Sequence, residues 1–373
     1  MHAKRLIKQA AIQASCCLAM AVVLYLFVGS ILVCGLIAFI LLALVAIRPA
    51  VFVLNKLSQR TNWYKNQLEE IAKFRRPIPL GLDICNLGST SGKYAFSYED
   101  TELKGVNWAI SPQTLSYDFR ILKNYFSYLK EGATVLIPLC PFSGCIKDFA
   151  EDSVNHKYYS FLHPVTILNY SKETRRKANR FVDMPFLVSP FVALKRLVKD
   201  VSAKSDLRLA TNPMSSEELE ADAVRWIESW KKQFSISDLE APASKSIIQC
   251  LKYNAHLLAE MISYCLERGL KPVLVLPPTT LALSSKFSER FCDTYIYSMV
   301  RDASARGVPF LNYLRDDRFT GDEFFFNSFF LNVKGRKVFT DGVLSDLEFI
   351  AKKESPSFHT HSCNQGRKSH ATA

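Results

Sequence analysis

Apolar and polar positions change their spacing several times along this chain, and each change marks an element. From Gln9 to Ile47 there are 39 residues without a single charge. About 20 apolar residues cross the roughly 30 Å of a bilayer's hydrocarbon. A helix of 39 residues would be about 58 Å long, too long for one straight span. Two arrangements fit residues 16–47: one long tilted helix over about Leu18–Ile47, or two short spans turning at Gly29-Ser30. The basic segment 1–15 precedes it. Residues 48–78 are polar, carry Trp63 and Tyr64, and predict a connecting helix ended by Pro77 and Pro79.

Beyond that point, short apolar runs of strand length alternate with stretches of helical spacing. Leu80–Leu87, Val106–Ile110, Ala133–Leu139, Lys271–Leu276 and Val308–Tyr313 read as strands. Between them, Leu115, Phe119, Leu122 and Phe126 recur at helical spacing after Ser111-Pro112, with Gly132 as the stop. Ser215 and Glu218 stand at capping-box spacing before a helix to Phe234. Further helices are predicted over about Ser244–Arg268, Lys286–Arg306 and from Lys334, with an irregular basic middle between the Ala133–Leu139 strand and Ser215. Strands apolar on both faces, alternating with helices, are the pattern of a parallel sheet covered on both sides. The expected fold is therefore a three-layer α/β/α domain over 79–351, with a polar, aperiodic tail over 352–373. In such sheets, sites form at the carboxyl ends of strands. That singles out Gly88–Gly92, Ala109–Ser111, Leu139–Ser143, Pro277–Thr280 and Arg315–Asn332.

Composition narrows the class further. Of 373 residues, 49% are hydrophobic and 22% charged, which excludes a disordered or collagen-like chain. Ten cysteines without a CxxC argue for scattered thiols rather than a disulfide framework. The net charge is +12, and the strongest basic cluster is Lys172–Arg180, around Arg175-Arg176-Lys177. The plain reading is a solvated helix face or juxtamembrane surface, able to attract anionic lipid or an anionic polymer. No zinc-finger, RNA-binding or phosphate-loop motif is present, so neither nucleic acid nor a nucleotide cofactor is expected.

The most informative stretch is Asn86-Leu-Gly-Ser-Thr-Ser-Gly-Lys-Tyr-Ala-Phe96. A buried strand running into this turn presents three hydroxyls and several backbone N–H groups. That suits a nucleophile with part of an oxyanion hole, or a hold on a phosphate or sugar oxygen. Small residues that merely permit a tight turn would read the same.

The stretch resembles the first block of the SGNH (GDSL-like) hydrolase superfamily, in its membrane-anchored branch linked to cell-envelope polysaccharides. Gly105-Val-Asn-Trp-Ala-Ile-Ser111 resembles the second block, and Ala133–Ser143 the third strand and its loop. Lys271–Pro278 resembles a late strand, and Phe326-Asn-Ser-Phe-Phe-Leu-Asn-Val-Lys-Gly335 the terminal block, which in the family reads Asp-x-x-His-Leu-Asn-x-x-Gly. The resemblance implies an esterase or acyltransferase fold with a Ser nucleophile, a His base, an Asp to orient it, and no cofactor or metal. Carried over by position, the nucleophile falls on Thr90, or on Ser89 one step earlier, with Ser91 next to it. The Asp falls on Asn327 and the His on Phe330; Gly88, Asn107, Ala109, Ser143 and Asn332 fall at binding positions around the cleft.

A phenyl ring accepts no proton, and an amide stabilises no imidazolium. Losing the Ser–His machinery costs on the order of 10⁶ in turnover. Substitute bases come from His156 and His163, or from carboxylates among Asp316, Asp317, Asp322 and Glu323. His256 is expected to be packed mid-helix, Cys140 and Cys145 lack a partner, and His359, His361 and Cys363 sit in the tail. The resemblance thus implies a membrane-anchored protein of cell-surface polysaccharide biosynthesis or modification, its domain exported. Its expected partners are the bilayer, an anionic or acylated glycan, and envelope assembly proteins. The lost His and Asp favour a binding or scaffold role. An active O-acyl esterase or transferase with a displaced base is the alternative.

Overall fold

The computed structural model describes residues 31–148, 156–200, 214–304 and 307–354, with five positions before residue 31. Its centre is a five-stranded sheet in the order β2-β1-β3-β4-β5, every pairing parallel. The strands are β1 (Leu82–Asn86), β2 (Gly105–Asn107), β3 (Leu129–Pro138), β4 (Lys271–Leu276) and β5 (Phe310–Asn312). All five predicted strands are there. Side chains alternate between two hydrophobic clusters, as the period of a strand requires. Cys85, Val135, Ile137, Leu274 and Leu276 enter one cluster, and Ile84, Leu136, Val273 and Val275 the other. Helices cover both faces, so the expected α/β class and its parallel sheet hold.

The helices that matter here are α1 (Ile31–Ser58), α2 (Asn62–Arg75), α3 (Thr90–Ala95), α4 (Leu115–Tyr125), α5 (Lys172–Asp183), α6 (Pro185–Val188), α7 (Pro190–Asp200), α8 (Ser216–Phe234), α9 (Lys245–Leu266) and α10 (Val333–Glu354). The capping box forms in full at α8: Ser215 Oγ accepts from Glu218 N, and Glu218 Oε2 accepts from Ser215 N at 2.9 Å. Ser244 caps α9, and Gly269 follows it with φ +66°.

Several expectations need correction. Ser111 does not start a helix; Thr114 takes the N-cap position of α4. Gly132 stops no helix either. With φ +75° it lies inside β3, where the register against β1 jumps from Leu82–Leu129 to Ile84–Thr134. A bulge with a left-handed residue favours glycine there. The predicted helix over Lys286–Arg306 is interrupted by a π turn at Cys292–Tyr297. The described part of the basic middle is not all irregular: it holds α5, α6 and α7, with Ala178 and Phe181 of α5 buried and its arginines turned to solvent.

The connecting segment 48–78 is not one helix. Helix α1 runs through its first part without a break at Arg48, and α2 follows after a turn at Gln59-Arg60. Among the described residues no helix is long and apolar enough to cross a membrane. The apolar part of α1, Ile31–Ile47, has 17 residues, about 25 Å of helix. Most of 1–30, including Gly29-Ser30, lies outside the described residues. So does 355–373, while Lys352–Glu354 belong to α10.

Candidate functional site

In a parallel sheet ordered 2-1-3-4-5, the crevice opens at the carboxyl ends of β1 and β3, where the strand order reverses. A cavity of about 310 Å³ lies there. Ser89, Thr90, Ser91, Ser111, Gln113 and Thr114 form its polar side; Phe142, Trp226, Trp230, Phe234, Phe329 and Phe330 form its aromatic side. The hydroxyl corner after β1 and the aromatic stretch around residue 330, far apart in sequence, share one crevice.

The polar side is built by the turn after β1. Gly88, at φ +109°, lets the chain leave the strand tightly against Pro138, and its N–H donates to Asp118 Oδ1 at 2.7 Å. Ser89 follows at the start of α3, and its Oγ accepts from Gln113 N at 3.0 Å. The Thr90 and Ser111 hydroxyls are hydrogen-bonded to one another at 2.5 Å. Gln113 spans the floor: its Nε2 donates to Gly88 O and to Asp118 Oδ1, and its Oε1 accepts from Tyr158 OH.

Asp118 is the ionisable group that sequence reasoning missed. Its side chain lines the cavity yet the residue is only 2% exposed. Burial pushes its carboxyl up to about 7, against the lowering effect of the Gly88 and Gln113 hydrogen bonds. A signal was present: Asp118 sits three residues after Leu115 and four before Leu122, on the apolar stripe of α4. A carboxylate is rarely fully buried unless it has partners. Nearby, Thr114 Oγ1 donates to Asp148 Oδ1 at 3.1 Å, and burial raises that carboxyl also.

The aromatic side replaces the expected catalytic pair. Phe330 packs against Phe329, Tyr94, Trp226 and Phe326 with ring centroids 4.4, 5.4, 5.5 and 5.8 Å away. Asn327 closes its own turn, its Oδ1 accepting from Phe329 N at 3.0 Å and Phe330 N at 2.7 Å. The loop is fastened to α8 by Asp222, whose Oδ2 accepts from Ser328 N and Oγ at 3.0 and 2.7 Å.

The predicted binding positions divide. Ser143 lines the cavity, its Oγ accepting from Cys140 N at 2.8 Å. Asn107 and Asn332 work on the backbone instead. Asn107 Nδ2 donates to Gly92, Lys93 and Phe96 carbonyls, and its Oδ1 accepts from Ala109 N at 3.0 Å. Asn332 holds Glu323 O and Gly335 N at the start of α10. Ala109 is fully buried, and its carbonyl accepts from Lys73 Nζ.

Among the described residues, none of the substitute bases lines the cavity. His163 is exposed and accepts from Val165 N at the cap of a short turn. His256, expected to be packed, is 78% exposed and lies 3.5 Å from Glu260. It shares the outer face of α9 with Tyr253 and Glu260, while Leu251, Ala255, Leu258 and Ile262 form the inner face. Asp316 pairs with Arg318, and Asp322 and Glu323 lie in a turn before the terminal block. Arg315 pairs with Glu289 rather than with a loop acid. Burial pushes the Cys140 thiol up, which makes it a poor nucleophile. The side chain of His156 and all of His359, His361 and Cys363 lie outside the described residues. Among the described residues, no three His, Cys, Asp or Glu side chains stand close enough to hold a metal ion.

A second cavity of about 230 Å³ adjoins the first through Ser111 and Pro112. Lys157 lies on its wall and donates to Ser111 O and Pro112 O at 2.8 and 2.5 Å. Burial lowers the amines of Lys157 and Lys73 to about 7. The neighbouring Glu70 is occupied by Lys93 at 2.7 Å. Scanned against models of known families the chain matches none, and a search of curated proteins finds no match.

Proposed function

We propose that this chain is a bilayer-anchored, glycan-binding protein of the cell envelope, built on an SGNH-like scaffold whose hydrolytic centre has been converted into a binding cleft. One observation carries the reading: Phe330, at the position of the family histidine, is a wall of the cavity that the hydroxyls of residues 89–91 also line. Two further features support it. Asn327 spends its oxygen on its own turn, and the N–H of Ala109, at the second-block position, already has Asn107 as acceptor. A sugar ring offers an apolar C–H face and an edge of hydroxyls. Aromatic rings opposite hydroxyl, amide and carboxyl groups match both. The uncharged run before Arg48 supplies the anchor, and the domain is exported in this reading.

The alternative, an O-acyl esterase using Ser89 or Thr90, is favoured by Asp118, a carboxyl near neutrality in the same cavity. However, Gln113 engages both groups separately, its backbone N–H donating to Ser89 Oγ and its Nε2 to Asp118 Oδ1, so the carboxyl oxygen meets an amide donor rather than the hydroxyl. The test uses the full chain in detergent. We expect no release of acetate from a chromogenic ester, and saturable quenching of tryptophan emission by an acetylated oligosaccharide, lost in Trp226→Ala. Ester turnover that disappears in Ser89→Ala or Thr90→Ala would instead establish the enzyme.

A further inference from the structure

We propose that α7 is an interfacial foot that lies in the headgroup layer of an anionic membrane beside the anchor. Phe191, Leu194 and Val198 are 86, 46 and 77% exposed. Their spacing of three and seven residues places them on one side of the helix. Ala193, fully buried, seats the other side on the protein. Lys195 is exposed and borders the apolar stripe. An exposed stripe of bulky apolar residues bordered by a cationic one suits a lipid interface, the long basic side chain reaching up to phosphates. Leu187 and Met184 extend the exposed apolar surface towards the start of α6.

The location agrees with the pattern. Phe186 N donates to Asn55 Oδ1 at 2.9 Å and Gln59 Nε2 to Asp183 O at 3.0 Å, so the α5–α7 region is tied to the polar end of α1. Asn55 lies seven residues beyond Arg48, where the uncharged run stops, which is about 10 Å of helix. That is the depth of the headgroups if the run before Arg48 enters the bilayer. Earlier in α1, Leu36, Phe39 and Ile40 are exposed as well. A second copy of the chain is a poorer occupant, because a self-paired stripe would bring the two Lys195 side chains towards one another, with no acidic group on the stripe to offset them. Lipid phosphate complements them.

This inference rests on the anchored reading, and the experiment separates the two. The full chain is reconstituted into phosphatidylcholine vesicles with or without phosphatidylglycerol, and flotation reports anchoring. Phe191→Trp then adds an indole at an exposed position. Its extra emission should be blue-shifted and roughly twofold weaker in bilayers with brominated acyl chains. Lys195→Glu in the same background should relieve that quenching in the anionic vesicles. A chain that does not float overturns the anchored reading and the foot together. A floating chain whose added indole is unquenched overturns the foot alone, as does shielding that grows with the protein-to-lipid ratio, the signature of self-association.

Discussion

Replacing Asp118 by asparagine probes the cavity floor most directly. The two hydrogen bonds Asp118 receives, from Gly88 N and Gln113 Nε2, both end on Oδ1. An amide oxygen accepts both, so Asp118→Asn preserves the floor and removes only the charge. In the folded chain the carboxyl loses its proton near 7, against 3.8 in the unfolded chain, because burial disfavours the ion. Between these values the unfolded chain sheds a proton that the folded chain keeps, so stability falls as pH rises from about 4 to about 7 and levels off above. The gap, at about 1.4 kcal/mol per pH unit, sets a ceiling of about 4 kcal/mol. The assay is urea unfolding of the full chain in detergent, wild type beside Asp118→Asn, from pH 5 to pH 8.5. The variant should gain on the wild type with rising pH, reaching about 2–4 kcal/mol at pH 8. Parallel curves over this range would mean that the carboxylate is already compensated, and the reasoning would fail. If Asp118 is a base in an active esterase, the same variant abolishes turnover instead.

Lys157 has the opposite sign: its amine, lowered by burial to about 7, makes the wild type gain stability from pH 7 towards pH 10. Lys157→Met should flatten that rise by about 1–2 kcal/mol, a figure discounted for partial exposure. Asp222→Ala should cost about 2–4 kcal/mol by urea unfolding, since it frees Ser328 and loosens the aromatic wall, whereas Asp222→Asn should recover most of the loss. Gly92→Ala should cost about 1–3 kcal/mol, because a Cβ there would stand 2.6 Å from Leu87 O and 3.2 Å from Pro138; a thermally unaltered variant would show that α3 can lift off β3.

Sequence spacing revealed most of the fold for a physical reason. Strands β1, β3 and β4 are apolar on both faces, and the caps at Ser215 and Ser244 are local chemistry. What escaped was set by partners distant in sequence. Helices α5–α7 are short and broken by Pro185 and Pro190, and they are fixed by Asn55 and Gln59, more than 120 residues away. Gly132 reads as a helix stop until β1 supplies the register jump. At the site, the hydroxyl corner and Phe330 were legible because block order brought them together. Asp118 was not, since its significance lies in an unsolvated position rather than a motif. Trp226 and Trp230 look like ordinary core positions of α8 and become a wall only when the 325–331 loop folds over them.

Introducing the His and Asp that the resemblance leads one to expect should not create chemistry, because the site offers neither of them a partner. Phe330→His removes a ring from contact with four others, at a cost of about 2–3 kcal/mol. The new imidazole would also lack an orienting carboxylate. In Asn327→Asp the carboxylate would accept the same two N–H groups, from Phe329 and Phe330, and stay in the turn rather than reach the side chain at 330. An oxyanion would find the N–H of Ala109 engaged by Asn107 and that of Gly88 by Asp118. The double variant should therefore fold less stably and show no ester turnover above the single variants. If it does hydrolyse a chromogenic acetyl ester, and Ser89→Ala or Thr90→Ala abolishes this, the 325–331 loop re-orients more readily than its hydrogen bonds imply. In that case the cleft of the native chain lacks nothing but its base.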